Sequence, residues 1–200
     1  ERHGVAVTMT RTDGKEVSLA KRCEIANGIP GLNLFVSLHS NAAGSSGWSS
    51  ASGWSEYIYG PGGDREKAAQ DILAAVKAAG ITVRSTPIVY DPGLYVLKHT
   101  VAPAVLLEQG FHTNQGDVAN LKDAAYRQRL AEAEAKGILT YLGIPWKEDT
   151  ANTDFERAIQ WVRENGIMLG NTDGDMMLDQ PVTRKQFAVM LYRYHEKFGR

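Results

Sequence analysis

The chain has 200 residues, 43% of them hydrophobic and 22% charged, with 22 lysines and arginines against 23 aspartates and glutamates. That composition is ordinary for a folded protein and excludes wholesale disorder, while a formal net charge of -1 gives no electrostatic reason to expect nucleic acid or an anionic membrane as partner. No apolar run approaches the roughly 20 residues of a membrane-spanning helix, and the single cysteine, Cys23, excludes an internal disulfide framework and a cysteine-based zinc site.

Glu1-Arg2-His3-Gly4 reads as the end of a helix capped by Gly4. A helix that starts outside the chain is expected of a fragment truncated at that end. The alternating run over 5–10 (VAVTMT) predicts a strand. Residues 12–27 are predicted helical, with Val17, Ala20, Cys23 and Ile25 near one face and Asp13 as the cap. LNLFVSLH, residues 32–39, is nearly continuous in its apolar character, which predicts a strand buried on both faces. The stretch 44–55, GSSGWSSASGWS, carries Trp48 and Trp54 in a background of Gly and Ser, and is predicted to be a mobile loop.

Beyond it, residues 56–59 predict a further strand, and 64–79 a helix stopped by Gly80. Residues 82–97 mix strand and turn character around Pro87 and Asp91-Pro92-Gly93, AVLLE over 104–108 is a second buried strand, and 115–141 read as a turn and a long helix. Strands alternating with helices predict an α/β fold, with a central mixed, mostly parallel sheet flanked by helices. Residues 145–153 are polar and aperiodic, and are predicted to link a domain of residues 1–144 to a small all-helical unit of residues 154–200. In that unit Asp154 caps a helix with the stripe Phe155, Ala158, Ile159 and Val162; Thr183 caps a second with Phe187, Met190, Leu191 and Tyr194.

Ligand sites in open α/β sheets lie outside the carboxyl ends of the strands, where two ionisable side chains stand: His39, closing LNLFVSLH, and Glu108, closing AVLLE. A neutral imidazole in such a place can bind Zn²⁺, and a nearby carboxylate can take a proton from a water and pass it to a leaving amine. Each residue alone reads equally as a hydrogen-bonded structural group. Asn41 reads as a turn stabiliser or a substrate contact, Trp48 as a platform for sugar or stem peptide, Trp54 as core, and Cys23 as a packing residue. His99 and His112 flank the Glu108 strand and read as loop residues.

LFVSLHSNA (34–42) and VLKHTVAPAVLLEQGFHTN (96–114) closely resemble two blocks of the zinc-dependent N-acetylmuramoyl-L-alanine amidases, the Amidase_3 family. VTMTRTD (7–13) and SLAKR (18–22) resemble the strand and helix that precede the first block, so the resemblance runs over residues 1–143 in order. It implies hydrolysis of the amide between the lactyl group of N-acetylmuramic acid and L-alanine in peptidoglycan, with His39 as a zinc ligand and Glu108 as general base and acid. The family's other two ligands, a histidine in a Gly-rich strand-end motif and a glutamate, have no matching segment here and are expected upstream of residue 1. On that account the 200 residues alone would be inactive.

Residues 154–198 resemble an S-layer homology motif, through FERAIQWV (155–162), GIMLG (166–170) and TRKQFA (183–188). The resemblance implies that Thr183 and Arg184 meet an anionic secondary cell-wall polymer; Arg184 reads otherwise as an ion pair with Asp175 or Asp179. Such modules act in groups of three, and one copy is visible. Together the resemblances imply a wall hydrolase acting outside the bacterial membrane, or a phage lysin. Two alternatives stand beside it: a non-catalytic wall-binding protein on a degenerate amidase fold, and another zinc amidohydrolase or peptidase on a related sheet.

Overall fold

The structure, a computed structural model, describes residues 3–44, 46–147, 150–171 and 174–199, with the backbone alone over 150–154. Its contacts divide the chain into two compact units, Glu1–Trp146 and Lys147–Arg200.

In the first unit β1 (Phe35–Asn41), β2 (Trp54–Ile58), β3 (Val83–Tyr90) and β4 (Ala104–Phe111) form one sheet in the order β1-β4-β2-β3. β1 and β4 run parallel, as do β2 and β3, and β2 meets β4 antiparallel. The sheet is therefore mixed and mostly parallel, as the alternation of elements predicts. On one face Val105, Leu107, Trp54 and Ile58 pack against α2 (Gly63–Ala78) and α5 (Ala124–Tyr141), through Ile72, Val76, Leu130 and Ala133. On the other, Ala104, Leu106 and Phe35 pack against α1 (Leu19–Asn27) and α3 (Tyr95–His99), through Cys23, Ala26, Val96 and Leu97. The continuous apolar run of β4 follows from this, since alternate side chains enter opposite cores. α2 and α5 approach so closely that a Cβ at Gly137 would overlap the Ile72 Cα and the Asp71 carbonyl oxygen. Between β4 and α5 lies a short helix, α4 (Gln115–Lys122).

Several sequence expectations are corrected. Residues 5–10 form no strand: their alternation finds no ladder partner among the described residues, and Val7 and Met9 are exposed. α1 is capped by Ser18, whose side chain accepts from Lys21 N, because Asp13 spends its Oδ1 on Lys15 N within a turn that Gly14 opens. β1 is an edge strand, so its run is not buried throughout: Phe35 enters one core, Leu34 and Val36 pack only partly against the other, and Leu38 is 59% exposed. β4 continues three residues beyond Glu108, to Phe111. β2 begins at Trp54, inside the predicted loop. Pro87 sits in β3, the other edge, where a missing N–H is tolerated.

The second unit holds α6 (Thr150–Glu164) and α7 (Arg184–Phe198). α6 starts in the predicted linker, since residues 150–153 contain neither Gly nor Pro to stop a helix extending backwards. The Asp154 side chain and residues 1, 2, 172 and 173, to which other expectations attach, lie outside the described residues. Thr183 caps α7 in a reciprocal box with Gln186, as its sequence predicts. The helical stripes are less covered than their spacing suggests: Phe155, Phe187, Leu191 and Tyr194 are exposed, and Ile167 and Met176 are the buried apolar side chains.

Candidate active site

Alternation along the strands builds the site. Phe35 and Leu106 belong to the α1/α3 core, so Ser37, His39 and Asn41 of β1 and Glu108 of β4 share their face. His39 and Glu108 are register partners in the parallel β1–β4 pair, which sets them abreast, and Ser55 of β2 is the antiparallel partner of Glu108. The apolar cover of α1 and α3 ends below this level.

His39 Nε2 lies 2.8 Å from Ser37 Oγ, a contact that orients the ring. Partial burial of the imidazole lowers its pKa, and the Arg22 guanidinium lowers it further, so the ring is neutral at physiological pH. Burial pushes the Glu108 carboxyl up to about 7. Its Oε2 is covered and has no hydrogen-bond partner. A carboxyl held near neutrality exchanges a proton with little cost in either direction, which is what a group serving first as base and then as acid requires.

Asn41 accepts from Ala42 N at 2.8 Å, the turn-stabilising contact, and its Nδ2 donates to Tyr57 OH at 3.4 Å on the site face. His112 reaches the strand ends, with Nδ1 3.1 Å from both Ser40 Oγ and Ser40 O. His99 does not: it ends α3 and stacks on Tyr95. The loop after β1, predicted to be mobile, is fastened to the β4–α4 turn. Ala43 N donates to Thr113 Oγ1 (2.9 Å), Ser49 N to Thr113 O (2.7 Å), and Gly53 N to Asp117 Oδ2 (2.9 Å). Trp48 stands out from this anchored loop, 62% exposed, whereas Trp54 is 1% exposed and part of the core.

Among the described residues no group of three His, Cys, Asp or Glu could hold a metal ion. His39 and Glu108 supply one nitrogen and one carboxylate, fewer than the three protein ligands of a catalytic zinc. The donor set present does not by itself fit that metal.

In the second unit Thr183 lines a groove of about 590 Å³ with Met168, Met176, Val189 and Arg193. Arg184 does not line it, and among the described residues it pairs with neither Asp175 nor Asp179. Sequence reasoning missed Ser37, Tyr57 and Asp117. Ser37 and Tyr57 could have been found by projecting the alternation of β1 and β2 onto the face that holds His39. Asp117 gives no such signal, because its loop-fastening role depends on where the chain turns.

A model of the family described as N-acetylmuramoyl-L-alanine amidase (Amidase_3) matches residues 1–140. The chain is 32% identical over 140 residues to the N-acetylmuramoyl-L-alanine amidase CwlM of Bacillus licheniformis, covering 69% of this chain and 51% of the relative. It is 34% identical over 146 residues to the probable cell wall amidase LytH of Staphylococcus aureus, covering 70% and 44%. The chain thus spans about half the length of these curated relatives. Among solved structures it resembles the catalytic domain of CwlV, an N-acetylmuramoyl-L-alanine amidase from Bacillus (Paenibacillus) polymyxa var. colistinus. That match has a TM-score of 0.61 and 32% identity, over 70% of this chain and 74% of that one.

Proposed function

The chain belongs to the N-acetylmuramoyl-L-alanine amidase family, and from that premise we propose that it hydrolyses the amide joining N-acetylmuramic acid to L-alanine in peptidoglycan. The observation that carries the reading is the pairing of His39 with Glu108, abreast where the α1/α3 cover ends, with a half-buried carboxyl whose proton affinity sits near neutrality. Glu108 takes a proton from the attacking water as its oxygen adds to the amide carbon. The same proton then goes to the departing nitrogen as the C–N bond breaks, leaving a lactyl carboxylate and a free L-alanine amino terminus. His39, neutral and steadied by Ser37, fixes the polar rim beside it. Trp48 offers a flat face to the glycan or stem, and Asn41 with Tyr57 borders the same surface.

Zinc belongs to this proposal through His39 as one ligand. The two further ligands that the resemblance implies match no segment of the sequence, so no step is built on the metal. The resemblance of residues 154–198 to an S-layer homology motif supports a wall-polymer role for that unit, with Thr183 and Arg184 facing an anionic polymer. Action at the bacterial cell wall follows from the substrate and from the cell wall amidase named among the relatives.

A second reading, a wall-binding protein without turnover, is favoured by the incomplete donor set. One experiment separates the readings. Purified peptidoglycan is incubated with the chain and zinc, and the soluble fraction is analysed for stem peptides with L-alanine at the amino terminus. The amidase reading expects their release; co-sedimentation without release, by the chain and by a form extended upstream of residue 1 alike, establishes the binder, and cleavage within the stem establishes a peptidase.

A further inference from the structure

On the opposite face of the sheet from Glu108, a buried carboxyl fills no role in the chemistry above. Glu134, on α5, is buried where an amphipathic helix would place an apolar side chain. Its Oε1 accepts from Trp54 Nε1 at 2.9 Å and its Oε2 from Gln109 Nε2 at 2.7 Å. The two donors are on different strands. In the antiparallel β2–β4 pair Ser55 lies opposite Glu108 and Glu56 opposite Leu107, and continuing that register by one pair sets Trp54 across from Gln109. Glu134 is therefore a clamp across one rung of the ladder, the rung next to the one that holds Glu108.

Resting on the amidase reading, we propose that Glu134 is a positioning residue for Glu108. It acts through the sheet, by holding Trp54 and Gln109 in the register that sets Glu108 abreast of His39. The rung needs such a hold. β4 is irregular just beyond it, where its register with β1 shifts between His39 and Asn41 and Gly110 takes a φ of +122°, so the ladder alone gives Glu108 little support on that side. A clamp of two hydrogen bonds to the two oxygens of one carboxyl group fixes direction as well as distance. The desolvation of a buried carboxylate is the cost, and the two donors offset part of it.

The test is a pair of variants at one position. Glu134→Met removes both acceptors at nearly constant volume and leaves the indole N–H and the Gln109 amide without their shared partner. Glu134→Gln keeps both bonds, because its amide oxygen accepts from Trp54 Nε1 while its N–H2 donates to Gln109 Oε1 once the Gln109 amide turns over. On solubilised glycan strands Glu134→Met is expected to lose about 10-fold or more in kcat with KM little changed, and Glu134→Gln to retain it. Amide exchange at Ser55 and Glu108 is expected to quicken about 10-fold in Glu134→Met and to stay slow in Glu134→Gln. Undiminished kcat in Glu134→Met, or a Glu134→Gln protein that keeps its thermal stability without turnover, overturns the proposal. Should the unaltered protein release no stem peptide, the amidase reading falls separately, and unchanged exchange in Glu134→Met then overturns the clamp on its own.

Discussion

The two faces of the sheet handle polar groups in opposite ways. Against α2 and α5, Trp54, Gln109 and Glu134 satisfy one another and are sealed under Ile72, Leu130 and Ala133. Against α1 and α3 the apolar cover stops at Leu106, and beyond it His39 is exposed and Glu108 half-buried, with one carboxyl oxygen covered and unpartnered. Neighbours in sequence take part in both: Leu107 packs against α2 and α5 while Glu108 lies on the other face, and Trp54 is core while Ser55, itself fully buried, lies on the Glu108 face. The period of two along a strand lets stability and chemistry be set by alternate residues of the same segment.

This contrast predicts that damage to one face leaves the property of the other intact. The largest effect is expected of Glu108→Gln, which keeps the shape and removes the proton carrier: stem-peptide release should fall at least about 100-fold, within the usual contribution of general acid–base catalysis. Its melting temperature should not fall, because a carboxyl that burial makes costly to ionise has been replaced by a neutral amide. Release at the normal rate would remove Glu108 from the mechanism. The converse is Gly137→Ala. Alanine is the better helix former, yet its methyl has no room against the backbone of α2, so unfolding free energy in urea should drop by about 2–3 kcal/mol. Release per folded molecule should be unchanged; a stable variant would mean that α2 and α5 can move apart.

Glu56 blurs the contrast and gives a third prediction. It lies on the packed face, 0% exposed, with neither carboxyl oxygen bonded. Burial, with the Glu134 charge adding to it, raises its pKa from 4.5 to about 9. The folded state therefore binds a proton that the unfolded chain has released above pH 4.5. Stability from this group is full below that value, and declines as pH rises through the interval up to about 9. Glu56→Gln should abolish that share of the decline, leaving the proteins close at pH 5 and the variant more stable at pH 8 by up to about 4 kcal/mol, at about 1.4 kcal/mol per pH unit. Parallel stability curves for the two proteins would show that Glu56 has a partner in solution.

Much of this arrangement was legible beforehand. The run AVLLE marks a central strand because a strand buried on both faces must be apolar at every position, and α2 is bounded by the expected Gly80 at φ +71°. The similar run around Leu38 misled, because edge and centre differ in what covers them, and coverage depends on strand order rather than on the strand itself. His39 and Glu108 were found as ionisable groups after apolar runs. That they share one end of the sheet follows from both closing strands; that they are register partners, side by side, does not, since register is set by pairing between segments 69 positions apart. The Glu134 clamp was invisible for the same reason: a glutamate in a helix reads as solvated until the indole and amide that meet it are known. The anchored loop went unrecognised because Gly and Ser composition reports local freedom, whereas Asn114, Thr113 and Asp117 supply fastenings from the far side of the sheet sequence.

That loop supports the smallest effect. Trp48 is presented to solvent between fastenings at Ala43, Ser49 and Gly53, so part of the ordering cost of binding is already met before substrate arrives. Removing the indole should weaken ground-state and transition-state binding alike, which raises KM and leaves kcat alone. For Trp48→Ala on solubilised glycan strands the expected rise is about fivefold, near 1 kcal/mol for one aromatic contact, and Trp48→Phe should recover most of it. Thermal stability should not change, because the side chain is 62% exposed and fills no core. An unaltered KM would confine recognition to the strands themselves, and a fall in kcat would instead put the indole beside the scissile bond and extend the reactive face of the sheet to the loop.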